Sequence, residues 1–413
     1  MDRRTFVNRA GVAGIGLAWP RTLDALAHRT QDLDPGSAEL WESVREAFPI
    51  PRDRIYLNVG TLGPQPRPVV DAIIEHTRRV AMTYPPGVDW NTLTAAAAQV
   101  LKCDPAGLVF PRNTTEGMNF VANGLELRPG DEVLTTLHEH IGGLCCWQLA
   151  SARHGVTLRQ LELPIPPSHE DEVVDIFTRT ITPRTRVISI SHVTFSNGLI
   201  MPVARLVRLA REHGIISVID GAHPPGMMDV DMVALDPDFY ATSPHKWLLA
   251  PQGTGILYIR ADWRTRLWPT LASGDWDDLS LGAMRFNHLG SFDESRMAGL
   301  LAALRFHQVI GPDRIHERIR TLRRMLMDGL LENPRIRMMS PQADSLGAGM
   351  VSFKLDGVDA LDLQVRLARA ANIRTRVIGE YGYQWMRLSP HIYNSPAEIE
   401  RVVALIAAEK PTQ

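Results

Sequence analysis

Short apolar runs alternate with helix-length segments over the central part of the chain. Seven runs of four to six residues follow one another, and the intervals between them are long enough for helices. Strands that alternate with helices predict an α/β fold with a mostly parallel sheet covered by helices on both faces. The runs lie at 107–110, 132–135, 157–161, 186–191, 215–220, 239–242 and 255–259.

Helical patterns lie on both sides of this region. Their apolar residues recur at the spacing of one helix face. They cover residues 36–49, 68–84, 91–101 and 292–311.

The last hundred residues have a different organisation. From residue 313 onward, helical segments flank two strand-like runs, which predicts a smaller α+β domain. We therefore expect an N-terminal segment at 28–60, a large domain at 61–300 and a small C-terminal domain at 301–413. The two strand-like runs lie at 349–355 and 385–388.

Composition narrows the function to small-molecule chemistry. The formal net charge of −2 gives no global reason to bind nucleic acid or an anionic membrane. No apolar stretch approaches the 18 to 20 residues of a membrane-spanning helix. Three cysteines build neither a disulfide framework nor a cysteine-rich zinc site.

The first residues resemble an export signal. The pair Arg3–Arg4 precedes a modest apolar run over 10–19 and the small-x-small sequence at 25–27. This is the order of a secretory signal, and the paired arginines are typical of the route that exports folded proteins. We expect a twin-arginine signal over 1–27 and a periplasmic or exported protein; the alternative is a terminal amphipathic helix of a cytoplasmic protein.

Two charged residues follow consecutive predicted strands. Asp220 closes the run over 215–220, and Lys246 follows the next run. Ligands bind at the carboxyl ends of parallel strands, so both side chains are expected to face one crevice. A lysine that forms a Schiff base and an aspartate that pairs with a pyridinium nitrogen are what pyridoxal 5'-phosphate (PLP) requires. Taken singly, each residue is more ordinary as a turn former or a solvated charge.

Thr114 and Thr115 lie where the first run gives way to a helical pattern. Hydroxyls and free backbone N–H groups at a helix N-terminus bind anions, with help from the helix dipole. A phosphate site is therefore one interpretation of this segment. A simple capping box with Glu116 is the other, and the spacing permits both.

A histidine-rich turn follows the next predicted strand. His138 and His140 flank Glu139, and two glycines come after them. An imidazole can stack on a flat cofactor ring. A metal site is disfavoured because the pair supplies only two ligands.

These segments resemble the class V aminotransferase family of fold-type I PLP enzymes, over nearly the whole chain after residue 50. The sequences DGAHPPGM at 220–227 and HKWLLAPQG at 245–253 are most similar to the isopenicillin N epimerase branch. The resemblance implies a fold-type I architecture in which Lys246 attaches the cofactor and Asp220 pairs with its pyridine nitrogen. His223 would approach the ring hydroxyl, and His140 would stack on the ring.

The resemblance also assigns the remaining contacts to the cofactor. It implies that the phosphate is held by Thr114, Thr115, Ser243 and His245. Gly290 and Ser291 match a glycine and a hydroxyl residue that reach the phosphate across a dimer interface, which implies a homodimer.

A substrate site is implied near the C-terminus. Arg387 matches a late arginine that holds the substrate carboxylate, and its bidentate fork suits that group. A surface ion pair is the alternative for Arg387. We take Asn58 as a further substrate-binding candidate.

Two departures from the family pattern affect the reaction. No cysteine follows Cys146, whereas cysteine desulfurases of the family use a cysteine on a late loop, so persulfide chemistry is disfavoured. Phe195 stands where the family frequently has asparagine.

The sequence thus predicts a PLP-dependent enzyme that acts at Cα of an amino acid or a peptide-borne amino acid. Aminotransferase or isopenicillin N epimerase-like activity is favoured, and a C–S lyase or desulfurase-like β-elimination enzyme acting on a cysteine conjugate is the alternative. A catalytically inactive PLP-fold binding protein is the remote alternative, since such a protein should lack Lys246 or Asp220.

Overall fold

The structure is a computed structural model in which residues 20–83 and 87–411 are described. The α-helices in these ranges are α1 (Pro20–Thr30), α2 (Ala38–Glu46), α3 (Arg67–Thr83), α4 (Trp90–Leu101), α5 (Thr114–Gly124), α6 (Ile141–His154), α7 (Glu170–Thr180), α8 (Val203–Glu212), α9 (Met232–Leu235), α10 (Ser295–Ile310), α11 (Pro312–Leu331), α12 (Ala360–Ala371) and α13 (Pro396–Ala407). The strands are β1 (Ile55–Tyr56), β2 (Leu108–Val109), β3 (Glu132–Thr136), β4 (Thr157–Leu161), β5 (Thr185–Ser191), β6 (Ile216–Asp220), β7 (Phe239–Thr242), β8 (Ile256–Ile259), β9 (Ile336–Met338), β10 (Val351–Leu355), β11 (Ile373–Arg374), β12 (Arg376–Ile378) and β13 (Trp385–Leu388).

Seven strands form the central sheet in the order β2-β8-β7-β6-β5-β3-β4. Only β8 runs against its neighbours, since it pairs antiparallel with β2 and with β7. Alternate residues of each strand enter different apolar clusters: Val218 packs on one face of the sheet and Ile219 on the other. Burial on both faces explains why the strands read as continuous apolar runs.

The strand directions bring the carboxyl ends of five strands to one edge of this sheet. Because two antiparallel pairings intervene, β2 runs in the same direction as β7. The carboxyl ends of β2, β7, β6, β5 and β3 therefore lie along the same edge. This is where ligands bind in open α/β sheets.

A second sheet contains four antiparallel strands in the order β12-β13-β10-β9. Apolar residues of α11, α12 and α13 pack against it in one cluster. The N-terminal segment joins this region, because β1 pairs in parallel with β11.

The seven runs predicted as strands all form the central sheet, which confirms the α/β fold with a mostly parallel seven-stranded sheet. The two late strands are also present, as β10 and β13. The structure adds β9 and β12, which the pattern did not reveal because both are short and only partly buried.

Two expectations stay predictions. The domain limits at 28–60, 61–300 and 301–413 are not tested, although α10 runs continuously through residue 300. Most of the expected signal, residues 1–19, lies outside the described residues. Among the helices of the described ranges, none has the length and hydropathy that crossing a bilayer requires.

Candidate active site

A cavity of about 230 Å³ opens at the carboxyl edge of the central sheet, where the second sheet approaches it. Nine residues singled out from the sequence line this cavity. They are Thr114, Thr115, His140, Asp220, His223, Ser243, His245, Lys246 and Arg387.

Asp220 ends β6, Lys246 follows the neighbouring strand β7, and the two side chains interact electrostatically. Asp220 is buried at the end of β6, and its Oδ1 accepts a hydrogen bond from the backbone N–H of Ala222 at 3.0 Å. Removal from water lowers the pKa of Lys246 to about 8, and the Asp220 carboxylate opposes this effect. Lys246 is therefore a free amine at pH 7 to a far greater extent than an ordinary lysine.

His223 lies between Lys246 and Trp247. Its Nε2 is 3.1 Å from Lys246 Nζ, and its Nδ1 accepts a hydrogen bond of 3.1 Å from the indole N–H of Trp247. Burial holds the pKa of His223 well below its usual range, so the ring is neutral at pH 7.

Hydroxyl groups and a helix N-terminus converge at one end of the cavity. The Oγ of Ser243 accepts from the backbone N–H of Thr114 at 3.1 Å, and the two hydroxyls are 2.8 Å apart. Thr114 and Thr115 form the first turn of α5, whose cap is Asn113, so the helix dipole favours an anion here. His245 adds a buried Nδ1 that no described group satisfies. The N-cap of this helix is Asn113 and not Thr114, so the alternative interpretation, a capping box with Thr114 at the cap, does not hold.

His140 forms the N-cap of α6 and has a neutral ring. Its Nδ1 accepts from the backbone N–H of Gly142, and burial lowers its pKa to about 4. A neutral imidazole in the cavity suits stacking on a flat ring. His138 does not reach the cavity, since its Nδ1 is 2.7 Å from the Tyr383 hydroxyl. Within the described ranges, no group of three His, Cys, Asp or Glu side chains is arranged to hold a metal ion.

Arg387 is a buried guanidinium without a carboxylate partner among the described residues. It lies on β13 and is 1% exposed. It donates to the backbone O of Phe195 at 2.6 Å and to Thr61 Oγ1 at 3.0 Å, while its Nε donates to nothing described. Burial lowers its pKa to about 9, so it stays charged at pH 7. A buried charge of this kind is costly until an anion pairs with it.

Three predicted site residues lie outside the cavity. Asn58 is buried behind Arg387, and its Oδ1 accepts from Thr61 Oγ1 at 2.8 Å and from Arg387 at 3.5 Å. It therefore supports Arg387 from behind the cavity wall. Gly290 and Ser291 are exposed and do not line the cavity of their own chain.

Sequence reasoning missed one charged residue of the cavity and one buried carboxyl group that is hydrogen-bonded to the cavity wall at Ser191. Arg376 lines the cavity from β12 and forms an ion pair with Glu380. Glu139 is fully buried, accepts from Ser191 and Thr136, and has a pKa raised to about 7 by burial. The sequence signal was the position of Glu139 between His138 and His140 in one turn. That position predicts a residue at the edge of the sheet, but it does not predict that the carboxyl group is buried.

The residues fit PLP in both shape and chemistry. Gly143 leaves room beside the aspartate, because a Cβ on it would lie 2.5 Å from Asp220 Oδ2. A Cβ on Gly142 would likewise lie 2.4 Å from Thr115 Oγ1. The cavity thus combines a lysine, a buried carboxylate and an anion-binding helix N-terminus, which are the groups this cofactor requires.

Curated relatives cover nearly the whole chain. An isopenicillin N epimerase of Amycolatopsis lactamdurans is 32% identical over 388 residues, which span 88% of this chain and 97% of the relative. A probable cysteine desulfurase of Halobacterium salinarum is 31% identical over 400 residues, which span 88% and 95%.

A solved structure shares the fold. It is a lysine-to-alanine variant of the enzyme C-DES with glycine covalently linked to the PLP cofactor. Its TM-score is 0.79 at 26% sequence identity, and the match covers 88% of this chain and 99% of the C-DES chain. A second structure is the complex of C-DES, a cystine C–S lyase, with its reaction product cysteine persulfide. It is 25% identical with a TM-score of 0.77, and the match covers 87% of this chain and 99% of the C-DES chain.

The family model for class-V aminotransferases matches residues 90–402, a range that contains Lys246, Asp220 and the hydroxyls of Thr114, Thr115 and Ser243. Pyridoxal 5'-phosphate is accordingly the cofactor of this chain. The chain belongs to the class-V aminotransferase family of PLP-dependent enzymes.

Proposed function

We propose that the protein acts at Cα of an amino acid or a peptide-borne amino acid, as an aminotransferase or as an epimerase similar to isopenicillin N epimerase. The observation that supports this most is the buried, unpaired guanidinium of Arg387 in the same cavity as Lys246. An α-carboxylate supplies the missing counter-charge and places the neighbouring Cα within the cavity.

The side chains divide the work between binding and proton transfer. PLP, when bound, supplies an electron sink that stabilises negative charge at Cα. Arg387 holds the substrate carboxylate with bidentate hydrogen bonds. Lys246 Nζ, as a free amine, takes the Cα proton and returns it, a role that suits a pKa near the working pH.

The other polar groups hold the cofactor. The carboxylate of Asp220 retains a proton on the pyridine nitrogen, and neutral His140 covers the ring without adding positive charge. Ser243, Thr114 and Thr115 bind the phosphate at the α5 N-terminus.

A C–S lyase acting on a cysteine conjugate is the second candidate, and the likeness to C-DES supports it. Enzyme-bound persulfide chemistry has less support. None of the three cysteines lines the described cavity, and burial raises the pKa of Cys103 to about 12 and raises that of Cys146. A lyase that releases its sulfur product directly does not need such a cysteine.

Incubation of the holoenzyme with a panel of amino acids, without a keto acid, separates these reactions. A stoichiometric keto acid with conversion of the cofactor to its amine form indicates transamination. Inversion of Cα configuration with the cofactor unchanged indicates epimerisation, and catalytic release of pyruvate from cysteine conjugates indicates elimination. Release of sulfide or sulfinate, with neither Cα-proton exchange nor keto acid from any donor, would refute the proposal.

We also propose that the protein is a homodimer in which Gly290 and Ser291 reach the phosphate of the partner's site. Both residues are exposed, and so is the neighbouring Phe292; Trp268 and Leu271 are further large apolar side chains that the chain leaves exposed. A mass of one chain by light scattering would contradict the dimer. A dimer whose cofactor affinity is unaffected by Ser291→Ala would contradict the contact.

Export by the twin-arginine route remains a proposal from the sequence. Helix α1 includes the expected cleavage point after Ala27, and cleavage there would remove the buried side chains of Leu23 and Leu26. N-terminal sequencing of the protein from a periplasmic fraction tests both the export of the protein and the cleavage after Ala27. A start at His28 supports them, and retention in the cytoplasm contradicts them.

A further inference from the structure

The contact between Lys246 and His223 restricts where the protons of both groups lie. A lysine ammonium group donates only, whereas the free amine has a lone pair that accepts. The 3.1 Å contact with His223 Nε2 is therefore a hydrogen bond in one of two ways. Either Lys246, as ammonium or as amine, donates to a bare Nε2, or a protonated Nε2 donates to the lone pair of the free amine.

Trp247 decides between these arrangements. An indole N–H is a donor and never an acceptor, so the 3.1 Å bond from Trp247 requires a bare Nδ1 on His223. His223 is neutral, and a neutral imidazole with a bare Nδ1 carries its hydrogen on Nε2. That hydrogen faces Lys246 Nζ.

We propose that Trp247 is a positioning residue that fixes the tautomer of His223, so that His223 donates to Lys246 and favours the free amine that captures the cofactor. The proposal rests on the proposed role of Lys246 as the attachment point. It adds a function for a buried tryptophan, 1% exposed, that lies next to the lysine in sequence.

The other charges around the pair come from several elements and do not involve Trp247. Asp220 faces Lys246 from the end of β6, and Arg376 and Arg387 face it from the second sheet. His140 and His245 face His223, and both have lowered pKa values. The side chain of Trp247 hydrogen-bonds to His223 and to none of these five groups, so a lysine pKa that changes on substitution of Trp247 reports on the tautomer.

Trp247→Phe keeps an aromatic ring in the site and removes the indole donor. His223 then becomes free to carry its hydrogen on Nδ1 and to accept from the ammonium at Nε2, which favours the charged lysine. We expect the pH midpoint for PLP capture by the full-length, PLP-stripped protein to rise by about half to one unit from the wild-type value, the scale of one hydrogen bond. The midpoint is taken from a plot of the rate of cofactor absorbance change against pH, measured from pH 6 to pH 10.

His223→Gln provides the matched background, because a glutamine amide both donates and accepts and has no tautomer. Adding Trp247→Phe to His223→Gln should leave the midpoint unchanged. An equal upward shift in both backgrounds, or no shift in either, would show that Trp247 acts only by packing. Absence of any covalent capture by the wild-type protein would instead refute the role of Lys246 and hence the proposed function.

Nitrogen NMR of the ¹⁵N-histidine-labelled wild-type protein tests the same statement without a variant. The PLP-stripped protein should show a His223 ring with a bare Nδ1 and a protonated Nε2, assigned by loss of the signals in His223→Gln. The reverse pattern, or a rapidly exchanging one, would overturn the proposal.

Discussion

Replacement of Arg387 by glutamine should lower activity and raise stability at once. Arg387 is buried and has no carboxylate partner in the described chain, so the folded protein without substrate bears the cost of a desolvated charge. The drop of its pKa from 12.5 to about 9 corresponds to an upper limit of about 5 kcal/mol. Arg387→Gln removes this cost and loses up to three hydrogen bonds at about 1 kcal/mol each.

The net expectation is an apo protein that is more stable by about 1 to 2 kcal/mol. For a chain of 413 residues this is a rise in Tm of about 1 to 2 °C. The substrate carboxylate meanwhile loses its charged partner, which typically costs about 3 kcal/mol and lowers kcat/KM about 150-fold. The measurements are calorimetry of the PLP-stripped protein and steady-state kinetics of the holoenzyme.

Arg323 offers a matched control. It is also 1% exposed, but it forms an ion pair with Asp344 at 2.9 Å and lies outside the cavity. Arg323→Gln should therefore lower the Tm and leave KM unchanged. A lower Tm for Arg387→Gln, together with an unchanged KM, would show that Arg387 is structural and would refute the reasoning.

Three further outcomes follow from the geometry of the cofactor site. Lys246→Gln should retain PLP only noncovalently. Borohydride should then no longer fix the cofactor to the protein, which intact-mass measurement would show. Fixation of the cofactor at another lysine would contradict this. Asp220→Asn should lower the pKa of Lys246 below about 8, because the carboxylate raises it, and should lower kcat by about 10²- to 10³-fold through loss of a buried charge pair. A pH profile of cofactor capture shifted upward in this variant would contradict the assignment. Gly143→Ala should weaken PLP binding, measured by equilibrium dialysis, because the alanine Cβ would lie too close to Asp220 Oδ2. An unchanged affinity would show that the position of the Asp220 carboxylate does not affect PLP binding.

The residues at strand ends were predictable from the sequence because two independent patterns agree. Asp220 closes a continuous apolar run, and a buried parallel strand must end at the edge where ligands bind. Lys246 follows the next strand, so the topology alone brings the pair together. The seven strands were predictable for the same reason, since burial on both faces leaves a continuous apolar run.

The remaining site residues depend on contacts that no local pattern records. Arg376 reaches the cavity only through the register of a three-residue strand that pairs with β13. The direction in which the Trp247 indole N–H points is set by the packing of a loop, whereas the residue type predicts only burial. The position of Gly290 and Ser291 relative to a partner's site requires a second chain, so the contact stays a prediction.

Hydrogen exchange at Cα tests the central claim most directly. The holoenzyme is incubated in D₂O with single amino acids, and the recovered amino acid is analysed by mass spectrometry and by NMR at Cα. The account predicts that at least one substrate gains a single deuterium at Cα, that the gain requires Lys246, and that it falls strongly in Arg387→Gln. PLP-loaded wild-type protein that exchanges no amino acid of the panel, or a Lys246→Gln variant that exchanges at the wild-type rate, would contradict it.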